Sequence, residues 1–130
     1  MAYLQTVHNY HLDGYRHVNN ARYLEFLEAA RWHYFAQNNL EHGLRQANLV
    51  VSRIDIRYRC AAALGETLAI HSQITAVQSR QLNMQQRIVF ENGKICAQAD
   101  IILMPTDEQG HVCRLPENLY QTCYQLLQTS

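Results

Sequence analysis

His11–Arg31 reads HLDGYRHVNNARYLEFLEAAR, and two kinds of local order meet in it. The first half is a polar turn of Gly, His and Asn around a single carboxylate, Asp13. The second half is a run of helix formers. Asn19 and Asn20 are N-cap residue types, and from there to about Asn39 the chain carries neither Pro nor Gly, so a long helix is expected across that span. Its apolar positions, among them Tyr23, Leu24, Phe26, Leu27, Ala30, Trp32 and Phe35, cover far more than one stripe. Such a helix must be buried on most sides and wrapped by something. His42-Gly43 and the polar residues around them are read as its end.

Outside this stretch the period shortens. Tyr3–Asn9 alternates loosely and reads as a short strand. From Asn48 onward, Val50, Ser52, Ile54, Ile56 and Tyr58 alternate with Val51, Arg53, Asp55, Arg57 and Arg59, which gives one core face and one wet face. After an Ala-rich turn closing at Leu64-Gly65, a second strand places Leu68, Ile70, Ser72, Ile74 and Ala76 together. Arg80–Glu91 repeats the pattern with Leu82, Met84, Gln86, Ile88 and Phe90, and Glu91-Asn92-Gly93-Lys94 reads as a two-residue hairpin. The return strand, Ile95–Met104, is apolar on both faces at Ile101-Ile102-Leu103-Met104, as an interior strand or one covered by a partner would be; Pro105 stops it. Leu115-Pro116-Glu117 then opens a short C-terminal helix with Leu119, Tyr120, Cys123, Tyr124 and Leu127 on its apolar face. Strand, long buried helix, four meandering strands and a terminal helix make an α+β layer architecture, in which a sheet curls round a helix.

The bulk numbers narrow the function classes. The chain has 130 residues, 48% of them hydrophobic, and a formal net charge of zero from eleven basic and eleven acidic residues. One domain over 1–130 is expected. No global attraction to nucleic acid or to an anionic membrane follows from that balance. Cys60, Cys96, Cys113 and Cys123 have no CxxC or zinc-ligand spacing, so reduced thiols, no metal and a cytoplasmic location are expected. His8, His11 and His17 match no helical or ribbon ligand pattern.

A carboxylate just upstream of a helix start has chemical potential, since the first N–H groups of a helix have no intrahelical acceptor and can polarise a carbonyl. Asp-Gly is also a common turn dipeptide, and on the turn alone the turn-forming reading is favoured over the catalytic one.

Asp13-Gly14, His17-Val18-Asn19-Asn20, Tyr23-Leu24, and Glu28 with Arg31 resemble the opening signature of the hotdog-fold acyl-CoA thioesterases of the 4-hydroxybenzoyl-CoA thioesterase-like group. The wording is most similar to the bacterial long-chain acyl-CoA thioesterases. Ile54-Asp55-Ile56-Arg57-Tyr58-Arg59 and Leu64-Gly65-Glu66 resemble the second strand and following turn of those enzymes. The chain departs from many members at His11, where they carry an acidic residue, and at Ala61, where they carry Pro.

The resemblance implies a hotdog fold: a curved antiparallel five-stranded sheet around a long central helix, with a short C-terminal helix. It implies hydrolysis of medium- to long-chain acyl-CoA with no cofactor, coenzyme A being part of the substrate. It also implies a homodimer or homotetramer with active sites at the dimer interface. By position, Asp13 is the catalytic carboxylate, as nucleophile or as general base for water, and the backbone N–H of Asn20 is the oxyanion donor. His17, Asn19, Tyr23 and Glu28 are substrate-binding or supporting residues. Glu28 is read as a brace paired with Arg31, and Arg53, Arg57 and Arg59 as coenzyme A phosphate ligands or a solvated row. A hotdog dehydratase acting on 3-hydroxyacyl thioesters and a non-catalytic acyl-thioester-binding module are the alternatives.

Overall fold

The computed structural model describes residues 2–129; Met1 and Ser130, the ends of the expected domain, lie outside them. Five strands, β1 (Tyr3–Thr6), β2 (Leu49–Tyr58), β3 (Thr67–Gln78), β4 (Gln81–Val89) and β5 (Ile95–Pro105), form one antiparallel sheet in the order β1-β3-β4-β5-β2. Register shifts between Val51 and Arg53, Ile74 and Ala76, and Ile88 and Val89 bend the strands, as an extra residue in one strand of a pair does. The sheet curls round helix α1 (Asn20–Gln37), as the helix's apolar excess requires. Tyr23, Phe26, Leu27, Ala30 and Phe35 pack on Leu68, Ile70, Met84, Ile88 and Ile101. β5 is interior, between β4 and β2, in agreement with its two apolar faces.

Several local expectations need correction. β1 stops at Thr6, and Asn9–His11 turn as a single 3-10 turn. The long helix ends at Gln37 rather than at His42-Gly43: Asn38 caps it and Asn39 takes φ 58. His42 and Gly43 instead lie inside a second helix, α2 (Glu41–Gln46). A Cβ at Gly43 would stand 3.2 Å from Leu119 Cδ1 of the terminal helix α3 (Glu117–Thr129), so this glycine permits close helix packing. On α1, Leu24 and Glu28 stay exposed, leaving one side of the helix unwrapped. β2 lies at the sheet edge, and Val50, Ser52 and Tyr58 of its expected core face are exposed. On α3, Tyr124 is exposed while Leu119 and Cys123 are buried.

The β4–β5 connection is also longer than a two-residue turn. Gly93 N donates to Phe90 O at 2.9 Å and Phe90 N to Lys94 O at 2.9 Å, and Gly93 but not Asn92 takes positive φ. A three-residue loop with one left-handed glycine results.

Candidate active site

The turn before α1 is fixed by its own backbone. Asp13 N donates to His17 O at 2.8 Å, and Leu12 and Val18 pair as an antiparallel bridge. Asp13 Oδ1 accepts the N–H groups of Tyr15 at 2.8 Å and of His17 at 3.2 Å. The carboxylate therefore points where the chain dictates. Arg16 closes the turn with φ 63, a left-handed conformation that costs a non-glycine residue roughly 1–2 kcal/mol. Strain of that kind collects at functional sites.

α1 begins directly afterwards. The Asn19 side chain accepts Ala21 N at 3.0 Å, Asn19 O accepts Arg22 N at 2.8 Å, and Asn19 N donates to His11 O at 2.9 Å. Two of the helix's first N–H groups are thereby satisfied. Asn20 N–H, at the first helical position, has no intrahelical acceptor, and no loop or side-chain acceptor meets it among the described residues. Asp13, His17, Asn20, Tyr58, Arg59 and Cys60 line one cleft of about 210 Å³. Asp13 and the first residue of α1 thus line the same cavity.

Tyr23, one turn into the helix, is buried. Its hydroxyl accepts Ala62 N at 3.0 Å, and Cys96 Sγ lies 3.7 Å from it. Burial raises the pKa of this phenol and of the Cys96 thiol, so both stay protonated. Tyr23 is a brace between α1 and the β2–β3 loop. His17 lines the cleft, and its imidazole forms no hydrogen bond among the described residues.

Glu28 is exposed and forms no ion pair with Arg31, contrary to the expected brace. Arg31 turns inward instead, and its Nη1 donates to Gln86 Oε1 at 3.2 Å. Gln86 Nε2 in turn donates to Leu27 O at 3.0 Å and to Ser72 Oγ at 2.9 Å. Burial lowers the guanidinium's pKa, and the charge of Glu28 partly restores it.

The three arginines of the β2 row separate. Arg53 and Arg57 are exposed on the outer sheet surface, while Arg59 lines the cleft. The cause is a bulge in which Arg59 N and Cys60 N both donate to Cys96 O, at 2.9 and 3.2 Å, which ends the alternation. His11 is buried: Nδ1 accepts His8 N at 2.9 Å and the ring meets Phe26 edge-on at 4.8 Å. Tyr58 and Cys60 are the cleft residues that sequence reasoning missed.

A larger groove of about 720 Å³ opens beyond Ala61, between Leu64 and Phe90. Its walls carry Glu66 and Glu91 against a single Lys94; Glu66 Oε1 accepts Ala63 N at 2.9 Å, but no helix starts among its lining residues. Asp13 and the start of α1 lie at the smaller cleft. Among the described residues no three His, Cys, Asp or Glu side chains gather as a metal site, and no helix is long and apolar enough to cross a membrane.

Residues 7–122 match the profile of the thioesterase-like superfamily. The long-chain acyl-CoA thioesterase FadM of Escherichia coli K12 is 40% identical over 104 residues, 78% of this chain and 79% of FadM. The probable thioesterase YbaW of E. coli superposes with a TM-score of 0.85 at 35% identity, over 98% of each chain. A thioesterase from Thermus thermophilus, solved in complex with coenzyme A and zinc, superposes with a TM-score of 0.85 at 25% identity, over 98% of this chain and 94% of that one. With its curled five-stranded sheet around α1, the chain belongs to the thioesterase-like superfamily and is a hotdog-fold thioester hydrolase.

Proposed function

We propose that the chain hydrolyses acyl-CoA thioesters of medium to long acyl chain, with Asp13 as the catalytic carboxylate and Asn20 N–H as the oxyanion donor. The observation that carries this reading is the single cleft lined both by Asp13, whose carboxylate is held at Oδ1 by two backbone N–H groups, and by Asn20, whose N–H at the helix start meets no acceptor among the described residues. The acyl-CoA substrate is supported by the names of FadM and of the E. coli acyl-CoA thioester hydrolase YbgC, which is 28% identical over 95 residues.

The reaction needs little more. A thioester carbon is already electrophilic, and one oxyanion donor contributes on the order of 2.7–4 kcal/mol to the transition state. Asp13 either removes a proton from the water that attacks the carbonyl, or attacks it directly to form an acyl anhydride that water then opens. In both routes the C–S bond breaks, coenzyme A departs as thiolate, and the free acid remains. His17, beside Asp13, and Asn19, which caps the helix, support the site; Tyr23 braces it from beneath, and Glu28 stands on the exposed side of α1. Arg59 at the cleft wall suits a phosphate of the coenzyme.

A second copy of the chain completes the pocket in this reading, as a dimer or tetramer. A cleft of about 210 Å³ falls below the size that buries a drug-sized ligand, and exposed Leu24, Val50 and Val51 on α1 and on edge strand β2 remain to be covered. Four free thiols suit a reducing, cytoplasmic setting.

The test is thiol release from an acyl-CoA series of increasing chain length, run with wild type and Asp13→Asn. Release by wild type that the substitution removes is expected. Saturable binding of acyl-CoA without thiol release by wild type overturns the reading.

A further inference from the structure

The hydroxyl of Tyr58, the last residue of β2, donates to the carbonyl oxygen of Asn20 at 3.1 Å. This bond spans 38 residues and joins the edge strand to the first turn of α1. The ring stands 5.5 Å from that of Tyr23 and lines the cleft beside Asp13. Burial raises the pKa of its phenol, so the group remains a donor.

Its target is the peptide that decides where the helix starts. Asn20 O and Ala21 N belong to one peptide plane. Ala21 N is tied to the Asn19 side chain, and Asn20 O is tied to Tyr58. The preceding plane is held at its oxygen end, where Asn19 O accepts Arg22 N, and its N–H end is the open Asn20 donor. First turns of helices fray because their N–H groups lack partners, whereas an oxyanion donor works only when already aimed at the developing charge.

We infer that Tyr58 is a positioning residue for the proposed hydrolysis: by clamping Asn20 O to the edge strand, its hydroxyl keeps Asn20 N–H aimed into the cleft. The inference rests on the reading of Asp13 and Asn20 given above. It assigns to Tyr58 no contact with the reacting atoms.

Tyr58→Phe keeps the ring and removes the donor. Tyr58 is 42% exposed, and the thermal midpoint, measured in parallel, separates loss of the clamp from loss of the fold. The expected result is a fall in kcat of roughly tenfold, the upper end of what one neutral hydrogen bond supplies, at unchanged KM. Amide exchange of residues 20–22 quickens in the same variant. Asp13→Asn, assayed beside it, loses far more.

Wild-type kcat and wild-type exchange in Tyr58→Phe, with Asp13→Asn inactive, overturn the role of Tyr58 and leave the proposed function standing. A loss confined to KM, or one that follows a fall in thermal midpoint, also overturns it. If Asp13→Asn hydrolyses as fast as wild type, the functional reading itself falls.

Discussion

Asp13 and His17 hold each other twice: Asp13 N donates to His17 O at 2.8 Å, and His17 N donates back to Asp13 Oδ1 at 3.2 Å. The second bond, with that of Tyr15 N, occupies one carboxylate oxygen and leaves Oδ2 without a hydrogen bond among the described residues. One oxygen orients the group; the other is free to take a proton or to attack. An amide fits the first role and fails at the second. Asp13→Asn should therefore fold as wild type does, its Oδ1 still accepting both N–H groups, while kcat for thiol release falls by roughly 10²- to 10⁴-fold. Matching circular dichroism and thermal midpoints, with activity lost, is the expected pair of readings. Activity within a few-fold of wild type would show that Asp13 only shapes the turn.

Asn19 fixes the first turn of α1 as the Tyr15 and His17 N–H groups fix Asp13. Its side chain occupies Ala21 N, so Asn19→Ala leaves that group to water and loosens the first turn. Replacing such a cap costs about 0.5–2 kcal/mol, which urea unfolding resolves. If Asn20 N–H is the oxyanion donor, kcat should drop as well, because the loosened turn is the one that aims it. A stability loss at full kcat separates the cap from the chemistry.

α1 was legible because propensity, capping residues and apolar excess agree over one Pro- and Gly-free run. Its end was not, since Gly43 resembles a helix stop, whereas its role is to let α2 approach Leu119. The true break, at Asn39 with φ 58, uses the residue type that after glycine most readily takes the left-handed conformation at a helix end, and the glycine four residues on drew the reading past it. That Asp13 and Asn20 would meet at one cleft was legible by resemblance and by the chemistry of helix starts. Tyr58 was not: alternation assigned it to a core face, and nothing local reveals that its strand lies at an edge or that its hydroxyl reaches Asn20. Arg31 misled in the same way. The spacing to Glu28 suggested a surface pair, but the guanidinium turns toward Gln86, whose position under the helix follows from sheet order alone.

That inward turn makes Gln86 a strong point in the core. Fully buried, it accepts from Arg31 Nη1 and donates to Leu27 O and Ser72 Oγ. Gln86→Leu removes the acceptor of a buried cation, a change that costs about 3 kcal/mol or more. Adding Arg31→Met removes the stranded charge, so the double variant should be more stable than Gln86→Leu alone. Chemical denaturation of the four members of the cycle measures the coupling; strictly additive losses would mean that the two side chains do not interact.

His11 gives the fold a pH dependence of predictable sign. Burial, with smaller contributions from His8 and Arg22, lowers its pKa below 6.5, and Glu25 opposes this weakly. The unfolded chain then binds a proton that the folded one refuses. Stability is complete above the unfolded value and declines as pH falls through the folded value. Unfolding free energies between pH 7.5 and about 5 should fall toward acid, and His11→Asn, whose amide oxygen can still accept His8 N, should flatten that slope. An unchanged slope in the variant would assign the acid loss to other groups.

The four thiols differ in access, and one of them lies at the site. Cys96 and Cys123 are buried, and burial raises the pKa of the first and pushes that of the second up to about 11, so neither supplies thiolate at neutral pH. Cys113 is half-buried, and Cys60 is exposed at the cleft wall beside Asp13 and Asn20. A disulfide reagent at neutral pH should modify Cys60 first, Cys113 more slowly, and the other two only after denaturation, as counted by mass spectrometry under native and denaturing conditions. If the thioester carbonyl enters this cleft, an adduct on Cys60 at its wall crowds it. Thiol release should therefore fall in step with labelling, and Cys60→Ser should keep its activity and resist the reagent. If Cys60→Ser is inactivated as fast as wild type, the inhibition arises elsewhere, and the cleft does not hold the reacting carbonyl at the Asn20 donor.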